Sequence, residues 1–255
     1  MGTDALRAPL DQVSIDQKIS QYWRVKVVDV TESTQDDIAV SATLGEAHHG
    51  DVVVAEYQSK GRGRLDRTFE AASGASLTFS FFIKPMRENS YWSFLPLLSG
   101  IAVHRALESL DPNILTSIKW PNDLLIGDKK IAGIIAQTSG PGVVIGIGLN
   151  VGMTRDELPV PHASSLKLNG YAQLNRNLIL AEILNQFELV FKEWDLGRDF
   201  VDEYMSLSST IGVEIEAQLP GGVIHSGVAE KVDHHGALIL GSGTVITAGE
   251  IVHLR

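Results

Sequence analysis

The apolar positions of the chain fall into short blocks separated by turn residues. VKVVDV, at positions 25–30, reads as a short buried strand. STQDDIAVSATLG follows it, with Ser33 in the N-cap position, Asp36 and Asp37 in the first turn and Gly45 as the stop, so a helix is marked at both ends. DVVVAEYQ (51–58) predicts a second strand, and the Phe-rich SLTFSFFI (76–83) a third with only weak alternation. Positions 91–110 are apolar at helical spacing and stop ahead of Asp111-Pro112. SIKW, DLLI and KKIAGIIAQT then predict short strands, the last two joined by a hairpin turn in GDKK. GVVIGIGLNV (142–151) predicts one more buried strand. Positions 175–205 predict one long amphipathic helix, with Leu178, Ile179, Ile183, Leu184, Phe187, Val190 and Phe191 on one face.

The texture changes after SLSST. From position 211 onward, five short strands with Gly at nearly every turn fit a small closed barrel or sandwich: VEIEAQL, VIHSGVAEKVD, GALIL, TVIT and EIVHL. The expected boundary lies near Ser208, giving a larger unit over 1–208 and a smaller one over 209–255. The larger unit has adjacent strands with few crossover helices, which predicts an α+β fold whose sheet is mixed and largely antiparallel, with flanking helices.

Charge and composition narrow the function. Lys and Arg total 21 against 31 Asp and Glu, a net charge of −10. Such a field repels nucleic-acid backbones and anionic membranes at long range, so neither DNA nor a membrane is an expected partner. The chain contains no cysteine, which removes disulfides and thiolate chemistry. The N-terminal residues carry no secretory pattern and no myristoylation pattern, and no run of about 18 apolar residues spans a bilayer. The default is a cytoplasmic protein. The eight histidines include two adjacent pairs, His48-His49 and His234-His235, in predicted turns, without the spacing of metal ligands; no metal site is expected.

Against that acidic background KGRGRLDRTF stands out. Lys60, Arg62, Arg64 and Arg67 surround Gly61 and Gly63 between two strands. Two glycines let a backbone approach a ligand, and guanidinium groups match carboxylate or phosphate oxygens. An ordinary exposed basic turn is the bland alternative. KWPND places Lys119 at the end of an apolar strand, ahead of a Pro-restricted turn, where it can reach a buried ligand or, on this motif alone, equally be a solvated turn lysine. Lys129 and Lys130 precede a strand containing Gly133. In GIGLN, Gly146, Gly148 and Asn150 share one strand face, so two bare positions can leave a slot that ends in an amide; for each glycine taken separately, close packing of a helix over the sheet is the alternative.

ESTQ, EYQSKGRGR, KWPND, KKIAG and GIGLN, in this order, closely resemble the biotin–protein ligase family over nearly the whole chain. The resemblance implies a class II synthetase-like catalytic domain followed by an SH3-like β-barrel. It implies that biotin and MgATP form biotinyl-5′-AMP, and that biotin then passes to a lysine of a biotin carboxyl carrier domain of a biotin-dependent carboxylase. It assigns Ser33, Thr34, Gln58, Gly61, Arg62, Arg64, Lys119, Gly133, Gly146 and Gly148 to biotin. It assigns Arg64, Arg67, Phe69, Lys130 and Asn150 to ATP, and catalysis to Lys119, Arg64 and Arg67. The basic loop is expected to lack packing of its own and to close over the ligand.

Four positions depart from the family pattern: Gln35 for Asn, Lys60 for a small residue, Asp66 for Gly and Phe69 for Trp. Asp66 is expected to point outward or to pair with a neighbouring Arg. Some members carry an N-terminal winged-helix domain; the 24 residues before the first predicted strand are too few for one, so a ligase that does not bind DNA is expected. The expected assembly is a monomer or a weak homodimer. Two other readings compete: lipoate or octanoate transfer on the related fold, and a non-catalytic biotin or nucleotide sensor, or a nucleic-acid binder using the loop arginines. The intact Gly-Arg loop and the C-terminal β unit disfavour the first. The net charge and the retained Lys119 disfavour the second.

Overall fold

The computed structural model describes residues 7–64, 67–219 and 221–254. It opens with a five-residue helix, α1 (Gln12–Asp16), capped by Asp11 and unmarked by the apolar pattern. The Gln12 amide accepts the Val27 N–H at 3.1 Å and donates to the Val25 carbonyl. This side chain occupies part of the free edge of β1 (Arg24–Thr31) and so blunts it.

The helix α2 (Thr34–Thr43) carries the chain from β1 to β2 (Asp51–Gln58), and these two strands are parallel. Every other pairing in the larger sheet is antiparallel. It continues through β3 (Ser76–Ile83), β4 (Ser117–Lys119), β5 (Asp123–Ile126), β6 (Lys129–Ser139) and β7 (Gly142–Asn150), in the order β1-β2-β3-β7-β6-β5-β4. The mixed, largely antiparallel α+β expectation therefore holds.

Alternation along β3 and β7 decides which face carries the core and which the site. Leu77, Phe79, Phe81 and Ile83, beside Val143, Ile145, Ile147 and Leu149, join the main core with α3 (Leu95–Leu110) and α4 (Arg176–Asp195). Their neighbours Phe82 and Val144 pack with Ile38, Ala39 and Ala42 of α2 in a second, smaller cluster. All eight residues of β3 are buried, with the main core on one face and α2 over Phe82 or small side chains at the foot of a cleft on the other, which explains its weak alternation.

Two predicted helices differ in detail. Positions 89–94 form a 3-10 segment leading into α3, and Pro96 lies in that helix's first turn. The single helix expected over 175–205 is two, α4 and α5 (Val201–Leu207), separated at Gly197, whose φ of 102° an L side chain rarely adopts.

The C-terminal residues form a separate antiparallel sheet: β8 (Glu214–Gln218), β9 (Ile224–Val232), β10 (Leu238–Leu240), β11 (Val245–Ile246) and β12 (Glu250–His253), in the order β11-β10-β9-β8-β12. It is tied to the larger sheet at the KWPND segment. The Trp120 indole N–H donates to the Gly236 carbonyl at 2.9 Å, and the Ser209 N–H to the Ile118 carbonyl at 3.0 Å. The Trp120-Pro121 bond is cis. Among the described residues no helix is long and apolar enough to cross a membrane.

Candidate active site

Helix α2 covers only the Phe82–Val144 end of its sheet face. Beyond it the same face lies open over small residues: Ser80 and Thr78 on β3, Gly146 and Gly148 on β7, and Gly133 opposite Gly148 on β6. This floor belongs to a cleft of about 820 Å³. At its inner end Ser33 caps α2, the Thr34 N–H donates to Gln58 Oε1 at 2.7 Å, and the Thr34 and Ser80 hydroxyls lie 2.9 Å apart. Gln35 is 3% exposed. Its Nε2 donates to the Val144 carbonyl at 3.2 Å, while its buried Oε1 has no partner among the described residues. That leaves an acceptor waiting for a donor beside the bare Gly146.

The basic loop roofs the cleft. Its described part folds back on itself: the Gly63 N–H donates to the Arg67 carbonyl at 2.7 Å and the Phe69 N–H to the Gly61 carbonyl at 2.8 Å. Each of its cations meets a protein acceptor. Lys60 pairs with Glu32 at 2.8 Å, Arg62 with Asp36 at 2.6 Å and Arg67 with Glu250 at 2.6 Å. Arg64 donates to Asn122 Oδ1 at 3.1 Å and to the Gly249 carbonyl at 3.3 Å. The expectation of a loop without packing of its own is thus corrected: Glu32 ahead of α2, Asp36 in α2, Asn122, Gly249 and Glu250 of β12 supply its contacts. Asp66 lies outside the described residues. Burial pulls the Arg64 guanidinium below its ordinary pKa, with Asp123 and Glu250 pulling the other way.

The third wall is the KWPND segment. Asn122 anchors it, its Nδ2 donating to the Ile134 carbonyl at 2.9 Å. Lys130 pairs with Asp123 at 2.7 Å. Lys119 also lines the cleft, and among the described residues its ammonium has neither a hydrogen bond nor an ion pair. The fourth wall comes from the small sheet, through Glu250 to Leu254.

The cleft therefore brings together Ser33, Thr34, Gln58, Arg62, Arg64, Arg67, Phe69, Lys119, Lys130, Gly133, Gly146 and Gly148. Two expected residues are not on its wall. Gly61 packs inside the loop, where a Cβ would stand 2.4 Å from the Phe69 carbonyl oxygen. Asn150 is buried, and its Nδ2 donates to the Ser164 carbonyl at 2.9 Å, because residues 163–166 cover that end of the face. A Cβ on Gly148 would stand 2.7 Å from the Phe69 ring, so the aromatic expected at the nucleotide and the glycine expected at biotin share a contact. Sequence reasoning missed Gln35 as a wall residue, and it missed Glu250 and His253. The amide of Gln35 beside Ser33-Thr34 was the available signal for the first. Nothing local marks the other two. Among the described residues no group of three or more His, Cys, Asp or Glu could hold a metal ion.

Residues 27–153 match the Biotin/lipoate A/B protein ligase family. The biotin–[acetyl-CoA-carboxylase] ligase of Mycobacterium tuberculosis is 37% identical over 269 aligned residues, which take in 99% of this chain and 98% of that protein. The bifunctional ligase/repressor BirA of Escherichia coli is 28% identical, over 95% of this chain and 77% of that one. Among solved structures, the biotin protein ligase of Aquifex aeolicus in complex with biotin and ATP superposes with a TM-score of 0.78 at 26% identity, over 91% of this chain and 99% of that one. With a relative this similar from end to end and this cleft at its centre, the chain belongs to the biotin protein ligases of the biotin/lipoate A/B protein ligase family.

Proposed function

We propose that this chain activates biotin with ATP to biotinyl-5′-AMP and then transfers the biotinyl group to a lysine of a biotin carboxyl carrier domain. In the first step a biotin carboxylate oxygen attacks the α-phosphorus and pyrophosphate leaves. In the second the lysine amine attacks the acyl carbon, AMP leaves with the bonding electrons, and an amide forms. Both reactants of the first step are anions, so the site must offset their repulsion with fixed positive charge.

Each part of the cleft has a role in this scheme. The Gly146–Gly148 floor takes the biotin ring system, with Ser33, Thr34, Gln58 and the free Gln35 Oε1 around the cyclic urea. Lys119 stands where the carboxylate meets the α-phosphate. Arg62, Arg64 and Arg67 exchange their protein partners for phosphate oxygens, and the loop keeps water from the mixed anhydride. Lys130 and Phe69 serve the nucleotide side. Mg²⁺ would enter with the ATP phosphates and offset their charge, and Asp123, a carboxylate on the cleft wall, would be available to hold it. A cytoplasmic location, where ATP and carrier domains meet, goes with this reading.

The observation that carries the proposal is the Lys119 ammonium, without a hydrogen bond or ion pair among the described residues, in a cleft whose loop arginines are all engaged. At about 4 Å and an effective dielectric near 20, one such charge is worth about 4 kcal/mol toward an anion. Lys119→Ala should therefore lower biotin-dependent ATP–pyrophosphate exchange by about a thousandfold while biotin still binds. Near-normal exchange in that variant would refute the assignment. Exchange supported by lipoate and not by biotin would favour the lipoate reading instead.

A further inference from the structure

His253, on the last strand of the small sheet, lines the cleft although nothing in the sequence singles it out. Its Nε2 lies 3.3 Å from the Thr210 hydroxyl. Thr210 is completely buried, and its oxygen already accepts the Trp120 backbone N–H at 3.0 Å. A buried hydroxyl must still place its own hydrogen. Among the described residues, His253 Nε2 is the acceptor within its reach. The hydroxyl therefore donates to Nε2, and the single proton of the neutral ring sits on Nδ1.

Two features show what that proton is for. Nδ1 has no hydrogen-bond partner among the described residues. Lys119 lines the same cleft as His253, and its ammonium too is without a hydrogen bond or ion pair among the described residues. Burial first, and Lys119 second, hold the ring below its ordinary pKa, so it is a neutral donor at neutral pH. An N–H donor and an ammonium lining one cleft make a site for an anionic oxygen.

We propose that the His253 Nδ1–H is a second donor, alongside Lys119, to a phosphate oxygen of the acyl-adenylate, so that the small sheet contributes a binding residue to the adenylation site. The relay from Trp120 N–H through the Thr210 hydroxyl to Nε2 fixes the tautomer and joins the KWPND segment to β12. The small sheet is then part of the site itself. This inference rests on the ligase reading above.

The alternative role for His253 is to tie the two sheets together through Thr210, and two substitutions separate the roles. His253→Asn keeps an amide N–H near the position of Nδ1; His253→Gln places its amide near Nε2, where it can serve only Thr210. Affinity for a hydrolysis-resistant biotinyl-adenylate analogue is measured by calorimetry, with free biotin measured in parallel. A lost hydrogen bond to a charged group predicts ten- to hundred-fold weaker binding of the analogue by His253→Gln, with His253→Asn within about threefold of the parent chain and free biotin unchanged in both. Wild-type affinity in His253→Gln, or a loss confined to His253→Asn, overturns the proposal. If either variant fails to fold, Thr210→Val frees the tautomer while keeping the shape, and at least threefold weaker analogue binding is expected; an unchanged affinity there also overturns it. Biotin-dependent pyrophosphate exchange by the parent chain is the separate control, since its absence would overturn the ligase reading.

Discussion

Gly146→Ala tests the cleft floor and the fold at once. Gly146 lies mid-strand between Ser80 on β3 and Ile135 on β6. An added methyl would stand 2.5 Å from Gln35 Oε1, 3.1 Å from Ile135 Cγ1 and 3.1 Å from Ser80 Oγ. The first distance is far inside van der Waals contact, so Gln35 must move. It is 3% exposed and held to the Val144 carbonyl, so moving it forfeits a hydrogen bond worth about 1 kcal/mol. Crowding at the other two contacts adds about 1–3 kcal/mol. The expected loss is about 2–4 kcal/mol, which lowers Tm by roughly 4–16 °C in a chain of this size. The methyl also rises from the floor to which the proposed function assigns the biotin ring system. The KM for biotin should increase at least tenfold in pyrophosphate exchange, while the KM for ATP stays within twofold. A lower Tm with an unchanged biotin KM would mean that the glycine serves only Gln35 and that the slot is elsewhere. An unchanged Tm would refute the packing estimate itself.

Two further expectations concern stability. The Arg176 guanidinium is 2% exposed and pairs with Glu56 at 2.7 Å while also donating to the Ala8 carbonyl, so Glu56→Gln leaves a buried charge without its counter-ion; a loss of about 3–5 kcal/mol is expected in urea denaturation, and less than about 1 kcal/mol would refute it. Glu157 accepts both Arg7 and the Thr154 N–H, which hold its carboxyl at a pKa of about 2. A depressed folded-state pKa means stability that is present above the ordinary carboxylate pKa and lost as pH falls from about 5 toward 2. After solvent screening this amounts to about 1 kcal/mol, so the Tm gap between the parent chain and Glu157→Gln should narrow over that range; a gap constant with pH would count against it.

The fold was legible where periodicity is long and covered on one side, and less so elsewhere. The five C-terminal strands and the β1–α2–β2 unit follow from alternation, capping residues and glycine stops. Helix α1 did not show, because five residues carry too little periodicity and its role is to lend Gln12 to a strand edge. Apolar spacing continues past Asp195 on both sides of the break, so the pattern alone joins α4 and α5 into one helix over 175–205. Gly197 held the signal, but its effect needs a positive φ that composition alone does not reveal.

The site shows where local pattern stops being informative. Gly146, Gly148 and Asn150 share one face of β7 by simple alternation, and all three looked equally placed for a ligand. Two of them face the cleft; Asn150 bonds Ser164 because residues 163–166 lie over it. The face is set by period, but what covers the face is set by segments far away in sequence. The same reasoning explains Glu250 and His253. They sit on a strand that reads as ordinary sheet, and they join the site because Trp120 and Thr210 lock the small sheet against the KWPND segment. Lys119, at the end of an apolar strand, fits a solvated turn lysine as well as a ligand contact when its motif is read alone, and the order of the motifs along the chain is what singles it out. A wall residue supplied by another unit lies in no such motif, and only the packing of the two sheets reveals it.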